Sequence, residues 1–272
     1  MVVALAIAAA ALVSCSATST TNGAADVSVS LVQERPDVSK NQLAIKVKNR
    51  GENPLTIARA TLASTYFEVP LVWAGESPST VLPGRALDLR VAIPGVLCDA
   101  DSPGAAVTLE LADAVVELVP TDPYDLVERL HRNACHVSTV AAVAALTAER
   151  LVNPPSLPAA AELVVSVQPT GATGVIVLES VLGTTLLSPS SGGVGLPELV
   201  LDQSISAEGP LEVRIPIVPN RCDAHALAED KVGTRIPLIV TAADGTTGRI
   251  TLAASDDLRE QMYSYYSAYC EL

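Results

Sequence analysis

The sequence predicts a mainly β protein built from two tandem β-sandwich domains, each ending in a C-terminal helix stapled by a disulfide. Three observations predict it: a gapless internal repeat of strand-like segments, apolar and polar residues alternating within them, and cysteines at equivalent places in both copies. Leu43 to Leu62 aligns with Leu163 to Leu182. Leu87 to Ile93 aligns with Leu211 to Ile217, and that match runs on into Cys98-Asp99-Ala100 and Cys222-Asp223-Ala224.

In chain order, Val27 to Glu34 opens the first copy. Leu43 to Val47 and Leu55 to Ile57 flank Gly51, and Leu163 to Val167 and Val175 to Val177 flank Gly171. Each set reads as a β-hairpin whose glycine supplies a φ that other residues resist. Alternation over Leu87 to Ile93 and Leu211 to Ile217 marks a strand with one buried face. Further apolar strands follow at Ala106 to Leu111 or Arg235 to Thr241, and at Ala114 to Val119 or Arg249 to Ala253. A unit of roughly 110 to 130 residues with about seven short strands has the size and pattern of an immunoglobulin-like sandwich. The inter-sheet Cys and core Trp of antibody domains are missing, so sandwich architecture is expected and antibody topology is not.

Each copy then turns helical. In the first, Asp122 is the expected N-cap, Pro123 the first helical residue and Asp125 the acid at N3, with Val127, Leu130 and Ala134 as the buried stripe. In the second, Asp257 takes the cap, Glu260 the N3 position, and Met262, Tyr265 and Tyr269 the stripe. Val140 to Leu151 fits an amphipathic helix, yet its place matches the opening strand of the first copy, and the strand is the preferred reading. Asn153 to Pro158 is a loop. The expected division is residues 27–137 for the first domain and 138–272 for the second.

Leu12-Val13-Ser14-Cys15, at the end of an apolar run that begins at Met1, resembles a bacterial lipobox. The run from Val2 to Val13 is too short to span a bilayer and lacks a basic n-region; a removable signal at 1–14 is the better reading. The resemblance implies that Cys15 becomes the mature N-terminus and carries lipid at the outer face of the cytoplasmic membrane. Residues 15–26, rich in Ser, Thr, Gly and Ala, then form a tether. Five cysteines are an odd number for an exported chain, and lipidation of Cys15 leaves four. The repeat pairs Cys98 with Cys135 and Cys222 with Cys270, each bond worth roughly 4 kcal/mol on the loop-entropy scale. Without a CxxC motif, a structural role is expected rather than thiol exchange.

A formal charge of -13 argues against nucleic acid or an anionic membrane surface as the partner. Aromatics make up 3% of the chain, so the cores must be built from Val, Leu, Ile and Ala, and sugar-stacking platforms are hard to assemble. His131 and His136 read as solvated residues near the end of the first helix. His225 and Glu229 share a face of a helical turn capped by Asp223 and stopped by Gly233, but a metal needs a further ligand, so no metal is expected. Gly192-Gly193-Val194-Gly195 has no Lys-Thr after it and reads as a turn. Arg90 and Arg214 recur eight residues before the loop cysteines, with Asp99 and Asp223 just after them, and an ion pair shaping that loop is expected. No glycine-flanked serine elbow occurs. Neither a catalytic residue nor a cofactor is expected.

Four of the six tyrosines, Tyr263, Tyr265, Tyr266 and Tyr269, crowd the last helix. Tyr265 and Tyr269 belong to the stripe, whereas Tyr263 and Tyr266 lie on a neighbouring face. Two readings of that face stand: packing, which is preferred, or a recognition surface formed with His225 and Glu229. The lipobox, the repeated sandwich and above all Arg221 to Thr234 are similar to uncharacterised exported proteins and lipoproteins of actinobacteria. That resemblance implies location and fold class and brings no catalytic residue. The expected function is a non-catalytic, membrane-anchored module that binds another cell-envelope protein or scaffolds an assembly. Binding of a cell-wall glycan or small ligand comes second, and an enzyme third.

Overall fold

The computed structural model describes residues 26–206, 208–228, 230 and 233–272. The signal, Cys15, the tether up to Ala25, and Glu229 lie outside them. Strands make up 47% and helices 18%, so the fold is mainly β, with several antiparallel sheets and no barrel. Two compact units result. Of the described residues, those in 26–63, 70–93 and 105–121 cluster in one, and those in 64–69, 94–104 and 122–272 in the other.

The first unit runs β1 (Val27–Val32), α1 (Arg35–Ser39), β2 (Gln42–Asn49), β3 (Leu55–Ala63), β4 (Leu71–Trp73), β5 (Ser79–Val81), β6 (Ala86–Ala92), β7 (Ala106–Leu111) and β8 (Val115–Leu118). One sheet has the order β1-β2-β6; the other has β4-β3-β7-β8, with β5 also on β3. Alternation does what it should: Val29, Leu31, Ile45, Val47, Leu89 and Val91 are buried while Lys48 and Arg90 point outward. The expected hairpin about Gly51 is not formed, because β2 and β3 belong to different sheets. The chain there turns a corner held by buried Asn49. Its Nδ2 donates to the carbonyls of Val81 and Asn53 at 2.9 and 2.8 Å, and its Oδ1 accepts the Gly51 N–H at 2.9 Å. Periodicity marks strands but not their partners, and the corner rests on an asparagine rather than on a glycine φ.

The second unit runs α2 (Leu126–Val143), β9 (Ala144–Val152), β10 (Ala161–Pro169), β11 (Val175–Leu182), β12 (Leu187–Ser191), β13 (Val194–Gly195), β14 (Glu198–Ser206), β15 (Leu211–Pro219), α3 (Ala224–Ala228), β16 (Arg235–Thr241), β17 (Thr247–Ala253) and α4 (Asp256–Cys270). Its sheets are β13-β12-β15-β10-β9 and β14-β11-β16-β17. The order β9-β10-β15 repeats β1-β2-β6, and β11-β16-β17 repeats β3-β7-β8. Again the segments flanking Gly171, β10 and β11, sit in opposite sheets. Gly192 and Gly193, with φ of 59° and 80°, form the two-residue turn between β12 and β13, where positive φ at both positions matches the sheet twist.

Val140 to Leu151 is neither a strand nor a helix throughout: α2 continues to Val143 and β9 starts at Ala144 without a linker. Val140 and Val143 from the helix and Ala144, Ala148 and Leu151 from the strand all enter one core. Residues 137 and 138 both lie inside α2. Both sheets meet in this core through Leu163 and Val165 of β10 and Leu178 and Leu238 of β11 and β16. Side chains of α4 close it. Each such side chain contributes about 1.5 to 3 kcal/mol on full burial.

The helix starts differ from expectation. Asp125 has φ of 48° and ends the preceding turn, so α2 begins at Leu126. Asp122 still caps it, its two carboxylate oxygens accepting the N–H groups of Leu126 and Val127 at 2.8 and 3.0 Å. Ser255, not Asp257, caps α4 by accepting the Leu258 N–H at 3.2 Å; Asp256 and Asp257 fall in its first turn, where the helix dipole favours acids.

Candidate functional site

The tyrosine helix and the loop after Cys222 are joined in the second unit. Cys222 bonds to Cys270 and Cys98 to Cys135, with Cα atoms 5.2 and 5.5 Å apart. Along α4 the buried stripe is Leu258, Met262, Tyr265 and Tyr266. Tyr266 is therefore not on an exposed face: it is fully buried, and Tyr269, expected in the stripe, is only half-buried. The i, i+4, i+8 series Leu258, Met262, Tyr266 is the local signal of that burial.

The Tyr266 hydroxyl accepts the Asp223 N–H at 3.1 Å and meets the carbonyl oxygens of Arg221 and Asp223. Tyr263, half-buried, donates to Asp230 at 3.1 Å; burial first and the neighbouring carboxylate second push its hydroxyl pKa up. The structure thus brings Tyr263 and Tyr266 to the loop as ties. His225 is exposed on α3, its N–H donated to the Asp223 carboxylate at 2.9 Å. Tyr265 belongs wholly to the core side. Its hydroxyl lies 2.9 and 3.1 Å from the carbonyls of Ala159 and Ile217 and accepts the Ala161 N–H, and burial pushes its pKa to about 12.

A second cluster surrounds the Cys98–Cys135 bond. The ring of His131 stacks on Tyr66 with centroids 3.7 Å apart, and its Nε2 lies 3.1 Å from the Leu97 carbonyl. Tyr66 donates to Glu128 at 2.8 Å, and that hydrogen bond, followed by burial, raises its pKa. Glu128 also pairs with Arg132 at 3.2 Å. His131 is thus half-buried, contrary to expectation. His136 departs further: it is buried against Gly248, with Nδ1 3.4 Å from Thr246 Oγ1. Tyr66 lies far from α2 in sequence, and no local pattern reveals this partnership.

Arg90 and Arg214 do not pair with Asp99 and Asp223 at the cysteine loops; at the second loop Asp223 meets Arg221 at 3.9 Å instead. Arg90 and Arg214 point outward from β6 and β15, away from those loops. Arg90 donates to buried Asp37 of α1 at 2.8 Å. Burial raises the Asp37 pKa, but the Glu34 N–H and the Arg90 guanidinium together outweigh it and hold the carboxyl below its usual range. Arg214 pairs with Glu162 at 2.9 Å and Glu212 at 3.4 Å, and Arg150 with Glu212 at 2.7 Å. Between Arg150 and Arg214, Val164 of β10 is fully buried although it faces outward.

Depressions among the described residues of this unit include two on its surface. A groove of about 320 Å³ is lined by Thr184, Ser188 and Asn220 with Gly183, Gly195 and Pro197. A smaller one of about 150 Å³ lies between Pro154 and Leu157 and the Ser264, Tyr265 and Ala268 face of α4. In the first, Ser188 donates to Asn220 Oδ1 at 3.0 Å and Asn220 Nδ2 to the Thr184 carbonyl at 3.2 Å, which fixes both side chains. Among the described residues no group of three His, Cys, Asp or Glu is placed to hold a metal, and no helix is long and apolar enough to cross a membrane.

No family profile and no curated protein matches the chain. Among solved structures, the CupB2 chaperone of Pseudomonas aeruginosa aligns over 80% of this chain and 95% of its own, at 14% identity and a TM-score of 0.21. An Amycolatopsis orientalis exo-chitosanase CsxA complex aligns over 76% of this chain at 11% identity and 0.21, and red sea bream transglutaminase over 85% at 10% and 0.22. This chain spans 25% and 31% of those last two.

Proposed function

We propose that this chain is a lipid-anchored, non-catalytic binding or scaffolding module at the outer face of the cytoplasmic membrane, of the kind found among exported actinobacterial lipoproteins. Its partner is another cell-envelope protein. The observation that carries the reading is Leu12-Val13-Ser14-Cys15 at the end of the apolar run, together with the pairing of the other four cysteines, which leaves Cys15 for lipid. Satisfied hydroxyls and carboxylates around both disulfides favour structural ties over chemistry in those places. Among the described recognition residues named from sequence, His225 stands exposed while Tyr263 and Tyr266 do not, so a partner would meet α3 rather than the tyrosine rings.

The polar groove of Thr184, Ser188 and Asn220 favours a second reading, capture of a glycan fragment or other small polar ligand. Growth with a clickable fatty acid tests the anchor: label on the wild-type chain that is lost in Cys15→Ala supports it, and equal labelling of both overturns it. Cross-linking on intact cells, with His225→Ala and Asn220→Ala side by side, separates the two binding readings.

A further inference from the structure

Both sheets of the first unit have free edges, and most of them are guarded. On β6 the charges Asp88 and Arg90 are held by Lys46 at 3.5 Å and Asp37 at 2.8 Å. On β1 the backbone of Thr121 already occupies the edge, its N–H donating to the Val29 carbonyl at 3.0 Å and its carbonyl accepting the Leu31 N–H at 2.9 Å. β4 and β5 span three residues each. The β8 edge has no such guard. The Leu111 N–H donates to the Ala114 carbonyl at 2.7 Å, so Leu109 with Val116 and Val107 with Leu118 are the next hydrogen-bonded pairs across β7 and β8. Val115 and Glu117, between them, turn their N–H and C=O groups away from β7, and among the described residues no other strand pairs with β8.

Side chains along this edge alternate as a strand requires. Val116 and Leu118 are half-buried, whereas Val115 is 70% and Val119 84% exposed, with Glu117 exposed between them. The outward face therefore reads apolar, acidic, apolar beside a bare row of backbone groups. Arg59 on the same sheet is taken by Glu110 at 3.7 Å, and Glu117 makes no ion pair. Glu117 is also the one charge in residues 114–121. A second copy in the two-fold antiparallel register would set Val115 against Val119, which is favourable, and Glu117 against Glu117, which is not. That acid keeps like edges apart. The complementary strand carries Lys or Arg opposite Glu117, with β-branched residues two places to either side.

The geometry points to β8 as the acceptor for an extended segment of another protein, which adds to the sheet antiparallel and is selected by a cation flanked at i-2 and i+2 by β-branched residues. This site is separate from Cys15 and from α3 and depends on neither. Glu117→Lys turns the chain itself into such a segment, a lysine between Val115 and Val119, and serves as the probe. Sedimentation of the full chain over a range of concentrations compares wild type alone, Glu117→Lys alone and an equal mixture. The mixture should associate about fivefold more tightly than either chain alone, and high salt should erase that difference. Val115→Pro in both chains removes an outward N–H and no bond to β7, and should abolish the association. Glu117→Thr should associate with itself in low and high salt alike, which keeps the test decisive if the lysine variant folds poorly. A mixture that associates no better than its components, a Glu117→Thr chain that stays monomeric, or a mixed dimer that survives Val115→Pro overturns the proposal. Such a failure leaves the anchor and the α3 surface standing, since fatty-acid labelling and the His225→Ala cross-linking report on those.

Discussion

The hydroxyl of Tyr266 accepts the backbone N–H of Asp223 at 3.1 Å, so the fully buried ring of α4 ends on the loop that carries Cys222. Tyr266→Phe leaves that N–H and the Arg221 carbonyl without their partner and should cost about 1 to 3 kcal/mol. Tyr266→Ser should cost about 3 to 5 kcal/mol, as ring loss from a packed core does. Tyr263→Phe, at a half-buried position, should cost about 1 kcal/mol or less. Urea unfolding of the three variants checks the order, and equal small effects would mean that the Tyr266 ring is not packed.

Asp37 and Arg90 offer a pH-dependent test. The fold holds the Asp37 carboxyl below its ordinary value of 3.8, so its contribution is complete above about pH 4 and falls as pH drops through the lower folded value. Asp37→Asn should therefore destabilise by about 1 to 2 kcal/mol at pH 7 and by progressively less in acid. Stability curves of both proteins at several pH values show whether the gap closes.

Tyr265 tests the alkaline side. Burial raises its pKa to about 12 in the fold, against about 10 in an unfolded chain, so its contribution is complete below pH 10 and lost as pH rises toward 12. Absorbance titration at alkaline pH should show a late tyrosinate step that is missing in Tyr265→Phe.

His136 packs so closely on Gly248 that a Cβ added there would lie 2.6 Å from the imidazole Cδ2. Gly248→Ala should cost about 1 to 3 kcal/mol. Combined with His136→Ala the cost should fall below the sum of the two single changes, because the smaller side chain makes room. Denaturant midpoints of the four proteins give the coupling, and strict additivity would show that the two residues do not share this space.

Strand positions were legible because alternation is local: Ala106 to Leu111 and Arg235 to Thr241 are strands with those bounds. Both disulfides followed from equivalent places in the repeat. Pairing partners were not legible, since Leu43 to Val47 and Leu55 to Ile57 carry the same alternation whether they meet each other or cross between sheets. Burial of Tyr266 was readable from its i+4 spacing to Met262. Burial of His136 was not, because it depends on the absence of a side chain at Gly248, over a hundred residues away.

The central claim is that Cys15 is the lipid-bearing N-terminus of a doubly disulfide-bonded chain. Intact-mass measurement of the processed protein from membranes tests it most directly. The predicted species starts at Cys15, carries acyl groups on that residue and gains no label from an alkylating reagent until reduced, when four thiols appear. A mature chain that starts elsewhere, or that bears an unmodified Cys15 thiol, would contradict it.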